Sequence, residues 1–343
     1  MRGPIFSKRE APFFLSERFH FFTFSISINF FMKENNSLVP PEPDLNISDS
    51  ESRPRPVVLL LLDGWGIAPA GAGNAISTAK TPVFLNLIKE YPSALLDTGG
   101  KSLNVRYLEL GTGREIESEN GEPLLSLSRV LADAGLRQKK ITETERFAAL
   151  TYFFNGRVEE QMENEEWQIV SSEINWHGFR FKNPSRRITK ELLKNIKQEP
   201  VFDFIVAVLP ALDLAAANAD FETVRKISAV LDDKLEEIVE AVLARDGVLF
   251  LSAACGNAEK TRIADTELMD REMTDNPVPV IIVGNKFKGR AIDPNDTISG
   301  DLSLSSPSGT LADIVPTILG ILGLEKTAGM TGENLLERFR KSI

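Results

Sequence analysis

The chain has 343 residues, 42% of them hydrophobic, and a formal net charge of −10 at pH 7. This length and apolar content allow one large core. The acidic balance argues against binding to a nucleic-acid backbone and offers no basic patch for a membrane surface. The single cysteine, Cys255, excludes an internal disulfide framework and predicts a cytoplasmic protein.

The first 31 residues differ in composition from the rest of the chain. They hold nine of the 21 phenylalanines, and basic residues precede the aromatic run, so a secretory signal is one interpretation. Charged residues interrupt this run, which is also too short to span a bilayer. Residues 32–55 have the composition of a disordered linker. We favour Met32 as the true start of translation, with a disordered tail and a signal as the alternatives.

From Pro56 onward, strand-like apolar runs alternate with amphipathic helices, which is the pattern of a mostly parallel sheet. Strands are predicted at residues 57–62, 93–97, 203–209, 247–252 and 278–283. Helices are predicted from residue 81 and at residues 126–135, 143–148, 188–196, 221–244 and 311–322. The predicted fold is therefore one doubly wound α/β domain over residues 56–343, with helices on both faces of the sheet.

The first predicted strand delivers an acidic residue to its carboxyl end. Its apolar run is followed by Asp63-Gly64-Trp65-Gly66. Ligands of open α/β sheets bind at the carboxyl ends of the strands, and glycines leave a neighbouring carboxylate accessible. Asp63 is therefore a candidate metal ligand, although Asp-Gly after a strand is also a common turn.

Separate segments, in the right order, resemble the motifs of cofactor-independent phosphoglycerate mutases. At the amino-terminal end these are Asp63-Gly64-Trp65-Gly66-Ile67, Gly73-Asn74-Ala75-Ile76 and Ala79-Lys80-Thr81-Pro82. In mid-chain they are Glu143-Thr144-Glu145-Arg146-Phe147 and Thr151-Tyr152-Phe153-Phe154-Asn155-Gly156. The carboxy-terminal ones are Gly256-Asn257-Ala258-Glu259, Asn276-Pro277-Val278-Pro279, Leu311-Ala312-Asp313-Ile314-Val315-Pro316-Thr317 and Met330-Thr331-Gly332.

The resemblance implies an alkaline-phosphatase-like fold and a specific chemistry. Members of the family use two Mn²⁺ or similar ions and a serine nucleophile to interconvert 2- and 3-phosphoglycerate in glycolysis. Two divalent cations lower the pKa of the serine and neutralise charge on the transferring group. A small phosphorylated ligand would be the substrate of any activity that remains.

The metal ligands implied by the resemblance are mostly replaced in this chain. Asp63 and Asp213 match two of them. Residues that cannot ligate Mn²⁺ in the family's manner occupy the other positions, which are Ala217, Ala254, Cys255 and Met273. Cys255 could bind a softer ion, but a single thiol among apolar neighbours favours a packed core cysteine. We therefore expect no bound metal, or one weakly bound ion.

The nucleophile and a substrate contact are also altered. A direct overlay on the family's serine motif places Leu103 at the nucleophile, and a slip of one residue would place Ser102 there; an ordinary loop hydroxyl is the alternative for Ser102. Arg146 stands where the family has a lysine that faces the site. It is a candidate substrate contact, and a surface arginine is the other interpretation.

Residues 115–123 form only a short polar link where the family inserts a whole second domain. That domain grips the substrate with arginines, and a link of about ten residues cannot form a domain. We expect the deletion near residues 115–125. A further aromatic and basic cluster at residues 176–187 suggests an anion or partner site, with a β-hairpin as the alternative.

Two functional hypotheses follow from these departures. The first is a phosphoglycerate mutase-like protein that has lost catalysis and binds a protein partner or has a regulatory role. The second is a metal-dependent phosphoester hydrolase or mutase with a site rebuilt around Asp63, Asp213 and Ser102. The second hypothesis needs further acidic ligands, for which Asp97, Asp265 and Asp275 are the candidates.

Overall fold

The computed structural model describes residues 53–172, 184–263, 266, 268–290 and 301–338. All of them belong to one unit, Asp49–Ile343. The phenylalanine-rich segment, almost all of the predicted linker, both histidines and Asp265 lie outside the described residues. So does most of the cluster at residues 176–187.

The described residues form one eight-stranded sheet with the order β4-β3-β5-β1-β6-β7-β2-β8. The strands are β1 Val57–Leu61, β2 Ser93–Asp97, β3 Gln138–Glu143, β4 Glu165–Val170, β5 Phe204–Val208, β6 Val248–Ser252, β7 Val278–Val283 and β8 Gly309–Thr310. Each pairing is parallel except those of β7, which runs antiparallel to β6 and β2. The predicted α/β fold with a mostly parallel sheet is confirmed.

Two groups of helices cover the sheet. The helices are α1 Pro82–Glu90, α2 Leu103–Thr112, α3 Leu127–Asp133, α4 Pro184–Lys197, α5 Ala211–Asn218, α6 Phe221–Leu243, α7 Ile314–Ile321 and α8 Leu335–Arg338. Helix α6 packs against α1, α4 and α5, whereas α2 packs against α3 and α7. Within the described part of the chain, none of these helices is both long and apolar enough to cross a membrane.

The core is centred on β1 and its two parallel neighbours. Strand β1 lies between β5 and β6, and every residue of the three strands is buried. Branched apolar side chains on both faces of a strand suit this position, because a parallel sheet is covered by helices on both sides. Burial of this apolar surface is the main favourable contribution to folding.

Strands β3 and β4 were not predicted from the sequence, and the helical segment predicted at residues 143–148 is present but begins one residue later than expected. Glu143 is instead the last residue of β3. A 3₁₀ helix, Thr144–Arg146, follows it. Residues 147–148 are also helical and lead into a π-helix, Ala149–Phe153. Strands β3 and β4 were missed because they carry charged residues in buried positions, which interrupt the apolar pattern by which a strand is recognised.

The carboxyl ends of β1, β5 and β6 meet at one edge of the sheet. The register pairs Leu61 of β1 with Val208 and with Ser252. The segments that follow these three strands therefore begin side by side, which places the predicted ligand positions after each strand close together.

Helix α1 is anchored by an acidic residue of α6. The Asp232 carboxylate accepts hydrogen bonds from the backbone amides of Val83 (2.9 Å) and Phe84 (2.8 Å). The N-cap residue, Thr81, makes no side-chain capping bond. Asp232 is buried, and burial raises the pKa of its carboxyl.

We expect Asp232→Ala to lower the free energy of unfolding by about 2 kcal/mol, because two amides at a helix start lose their acceptor. The control is Asp233→Ala at the exposed neighbouring position, which should change it by less than about 0.5 kcal/mol. Urea denaturation of both variants measures the difference, and equal losses would contradict the capping role.

Candidate functional site

Two carboxylates face each other where β1 and β5 end. Asp63 follows β1 and its side chain is fully buried, whereas Asp213 lies in the first turn of α5 with its side chain 15% exposed. The Asp213 amide donates to the Asp63 carbonyl over 3.0 Å. Gly64 permits this approach: its φ is +93°, and a Cβ there would lie 2.5 Å from the Asp213 nitrogen.

Arg146 binds both carboxylates. Its Nε donates to Asp63 Oδ2 over 2.9 Å, and its Nη2 donates to Asp213 Oδ2. Burial alone would lower the pKa of Arg146, but the neighbouring Asp63 carboxylate, Tyr107 and the Asp213 carboxylate outweigh it and raise the pKa. The guanidinium is therefore a fixed positive charge between two acids.

The interpretation of Arg146 as a surface arginine is wrong. The residue is only 7% exposed and its side chain reaches inward from the 3₁₀ turn after β3. Two of its nitrogens, Nε and Nη2, donate to Asp63 and Asp213. Its role as a substrate contact stays a prediction that this geometry does not favour.

Neutral donors satisfy the remaining carboxylate oxygens. The Tyr107 hydroxyl donates to Asp63 Oδ2 over 2.7 Å, and the Ala254 amide donates to Asp63 Oδ1 over 3.2 Å. The Asn257 side-chain amide donates to Asp213 Oδ1 over 2.9 Å. All four carboxylate oxygens thus accept hydrogen bonds from the protein, and burial, with the Asp63 charge, raises the pKa of Tyr107 well above its ordinary value.

Sequence reasoning did not single out Tyr107 or Asn257. Tyr107 lies in the segment that replaces the serine motif, and no feature of that segment shows which side chain faces Asp63. Asn257 belongs to the motif Gly256-Asn257-Ala258-Glu259, so its place in a matched motif could have identified it as a candidate site residue. The contact partner became apparent only from the fold.

The other predicted ligand positions lie around the pair but supply no metal ligand. Ala254 and Cys255 follow β6 and are buried, Ala217 is in the last turn of α5, and Met273 is half-buried before β7. Burial raises the pKa of the Cys255 thiol well above its ordinary value, and the Asp213 and Asp63 carboxylates raise it further. A protonated, buried thiol is a poor metal ligand.

The residues present do not fit a dinuclear metal centre. Among the described residues, no group of three or more histidine, cysteine, aspartate or glutamate side chains is placed to hold a metal ion. A pair of Mn²⁺ ions needs more anionic ligands than Asp63 and Asp213 offer. Both carboxylates already have a positive partner in Arg146.

Ser102 lies at the start of α2, away from the two carboxylates. It is the N-cap residue: its oxygen accepts from the Val105 amide over 3.4 Å, and its hydroxyl donates to Glu119 over 3.3 Å. Tyr107, which contacts Asp63, is five residues further along the same helix, about 7.5 Å along the axis. The structure does not bring Ser102 into contact with either aspartate.

Of the three candidate acidic ligands, the structure describes Asp97 and Asp275, and these two do not converge on the site. Asp275 forms an ion pair with the buried Arg106 at 3.2 Å. Asp97 is exposed and accepts a hydrogen bond from the Gly99 amide over 2.9 Å. These contacts stabilise the loops that carry the two acids and leave Asp63 and Asp213 without a further acidic neighbour from this set.

Glu259 has a structural role beside the site. Its buried carboxylate accepts from the Asn257 amide (2.8 Å), the Asn276 side chain (3.0 Å) and the Thr274 hydroxyl. Gly66 packs against it so closely that a Cβ would lie 2.4 Å from the carboxyl carbon. The carboxylate ties together the segments that follow β1 and β6 and precede β7.

The short link at residues 115–123 is held by one buried arginine. Arg157 donates to the carbonyls of Ser118 (2.7 Å), Glu119 (2.8 Å) and Glu122 (3.0 Å). Glu119 in turn accepts hydrogen bonds from Ser102 and from Asn104 (3.0 Å). The link thus has a defined conformation that closes over the start of α2.

Comparison with known proteins assigns the domain to a family of metal-dependent enzymes. The family model described as the metalloenzyme superfamily matches residues 55–326. The 2,3-bisphosphoglycerate-independent phosphoglycerate mutase of Desulforudis audaxviator is 34% identical over 212 residues, which are 62% of this chain and 38% of that protein. The corresponding mutase of Clostridium acetobutylicum is 32% identical over 213 residues. The chain spans about two-fifths of the length of these relatives.

Solved structures show the same fold. A Leishmania mexicana phosphoglycerate mutase studied at low cobalt concentration superposes with a TM-score of 0.52 at 22% identity, over 61% of this chain and 39% of that one. An alkaline phosphatase superfamily protein from Vibrio parahaemolyticus superposes with a TM-score of 0.54 at 14% identity, over 82% and 70%.

We expect the Cys255 thiol to be unreactive in the folded protein, because it is buried and its raised pKa keeps it protonated. At pH 8.5 a thiol-specific disulfide reagent should release no colour from native protein within minutes, but one equivalent in guanidinium chloride, where the thiol has its ordinary pKa. Cys255 is the single cysteine, so the count is unambiguous. One equivalent from the native protein would contradict the buried site.

Proposed function

The chain belongs to the metalloenzyme superfamily, and we propose that it is a phosphoglycerate mutase-like member that binds rather than catalyses. The Arg146 guanidinium, which bridges Asp63 and Asp213, is the observation that carries the proposal. Phosphoryl transfer by the family's chemistry needs cations that are accessible to the phosphoryl oxygens. The cation at this pair is turned towards the protein's own carboxylates.

The position of Ser102 supports the same proposal. In the family's chemistry, metal ions activate the serine nucleophile, so its hydroxyl has to lie beside the metal ligands. The Ser102 hydroxyl contacts Glu119, which also accepts from Asn104, and the two aspartates are bound to Arg146 instead. The rebuilt phosphoester hydrolase around Asp63, Asp213 and Ser102 is therefore the weaker candidate.

The deletion that the resemblance implies near residues 115–125 would point in the same direction. The relatives are more than twice as long as the segment that they share with this chain. Where the resemblance places a substrate-gripping domain, residues 115–123 form a link clamped by Arg157. Without that domain, a phosphoglycerate would lack the groups that orient it for transfer.

We infer that the retained domain serves as a binding or regulatory module in the cytoplasm, with a protein as its partner and no bound Mn²⁺. The regular, buried strands around the site favour a fold that is still in use. The acidic net charge, −10, argues against a nucleic-acid partner.

An enzymatic assay tests the proposal. We expect no interconversion of 2- and 3-phosphoglycerate and no hydrolysis of p-nitrophenyl phosphate with Mn²⁺ or Co²⁺, at least about 10⁴-fold below a competent mutase. The 34%-identical mutase from Desulforudis audaxviator, assayed alongside, is the positive control. Turnover within tenfold of that control, abolished by Asp63→Asn, would contradict the proposal.

A further inference from the structure

The charge balance at the two strand ends depends on one side chain. Asp63 and Asp213 are neighbouring carboxylates, and placing two like charges side by side away from water is costly without a compensating cation. The Arg146 guanidinium supplies that charge through Nε and Nη2. The Tyr107 hydroxyl and Asn257 amide that complete the shell are neutral donors.

The Asn257 side chain, whose amide nitrogen contacts Asp213, also carries an oxygen without a hydrogen-bond partner among the described residues. The side-chain Oδ1 of Asn257 is buried and, in the described part of the chain, has no hydrogen-bond partner. The nitrogen of the same amide donates to Asp213 Oδ1 over 2.9 Å. Two carboxylates and an amide oxygen are the donors that hard divalent cations such as Mn²⁺ prefer.

We propose that the Arg146 guanidinium is a resident cation that stands in for a bound metal, and that its removal exposes a latent site for one divalent cation. The site would be formed by Asp63, Asp213 and the Asn257 side-chain oxygen. This inference is about the group that neutralises the two carboxylates. It therefore goes beyond the function proposed above and does not depend on whether the protein is catalytic.

The geometry explains why the arginine and the ion exclude each other. The guanidinium donates to one carboxylate oxygen of each aspartate, so it occupies the space beside both acids where an ion held by them would have to lie. An ion approaching the wild-type site would meet the positive charge of the Arg146 guanidinium. Two positive charges within a few ångströms of each other repel strongly away from bulk water. The wild-type protein should therefore be indifferent to chelators and to added Mn²⁺.

Four variants separate charge from shape. Arg146→Met keeps the apolar stem and removes the charge, whereas Arg146→Lys keeps a positive charge. The double variant Arg146→Met with Asp63→Asn removes one carboxylate as well. The matched control is Arg129→Met, which breaks the exposed pair with Asp133 on α3 and leaves the site intact.

Mn²⁺ binding is measured by equilibrium dialysis with elemental analysis, and thermal unfolding is recorded with EDTA and with 1 mM Mn²⁺. We expect Arg146→Met to bind one Mn²⁺ per chain at least tenfold more tightly than wild type. Its melting temperature should fall in EDTA and rise on the order of 5 °C with Mn²⁺. Wild type, Arg146→Lys, the double variant and Arg129→Met should show no Mn²⁺-dependent shift.

Several outcomes would overturn the inference. Stoichiometric Mn²⁺ in the wild-type protein would show that the guanidinium does not replace an ion. A folded Arg146→Met that binds Mn²⁺ no better than wild type would show that no latent site exists. If Arg146→Met refolds with Mn²⁺ but not in EDTA, the inference is supported; if it refolds under neither condition, the guanidinium is needed for more than its charge and the inference fails.

These outcomes are distinct from a failure of the proposed function. Metal-independent turnover by the wild-type protein would contradict the binding role and leave the Mn²⁺ comparison of the variants unchanged. Conversely, a catalytically silent Arg146→Met that fails to bind Mn²⁺ would overturn the latent site alone.

Discussion

Two carboxylates at the ends of adjacent parallel strands, held by one guanidinium, are the constraint on which the rest of the site depends. The topology places Asp63 and Asp213 side by side, because β1 and β5 are paired in register. In open α/β sheets, ligands bind at the edge formed by the carboxyl ends of the strands. Two like charges at this edge need a compensating cation, and the Arg146 guanidinium provides it. Such a buried ion pair adds little net stability, but loss of one member is strongly destabilising.

The surrounding contacts show how the fold and the family's chemistry can separate. The apolar strands β1, β5 and β6 are buried whatever occupies the edge, so the core does not depend on a metal. Small or apolar residues, such as Ala254, lie beside the two carboxylates and pack there without adding a charge. Arg157 holds the short link at residues 115–123 in place with three hydrogen bonds to carbonyl groups. The result is a domain whose two acidic residues at the sheet edge are neutralised by its own arginine.

The sequence predicted the parts of the fold in which local pattern and burial agree. Continuous apolar runs indicated β1, β5, β6 and β7, and turn residues indicated their ends. Strands β3 and β4 were missed because they carry Lys140 and Glu165, which form a buried ion pair at 2.7 Å. Burial lowers the pKa of Lys140 to about 8.

The burial of Arg146 could not be predicted either, because the carboxylate that permits a buried charge there, Asp63, lies 83 residues away in the chain. Collinear motifs could identify Asp63 and Asp213, but not the cation between them.

Anomalous X-ray scattering from crystals of the wild-type protein grown with Mn²⁺ tests the central claim most directly. A difference map recorded near the manganese edge locates the ion without reference to activity. The account predicts no anomalous peak between Asp63 and Asp213, and guanidinium density from Arg146 bonded to both carboxylates. A manganese peak at that position, with the Arg146 side chain displaced, would contradict it.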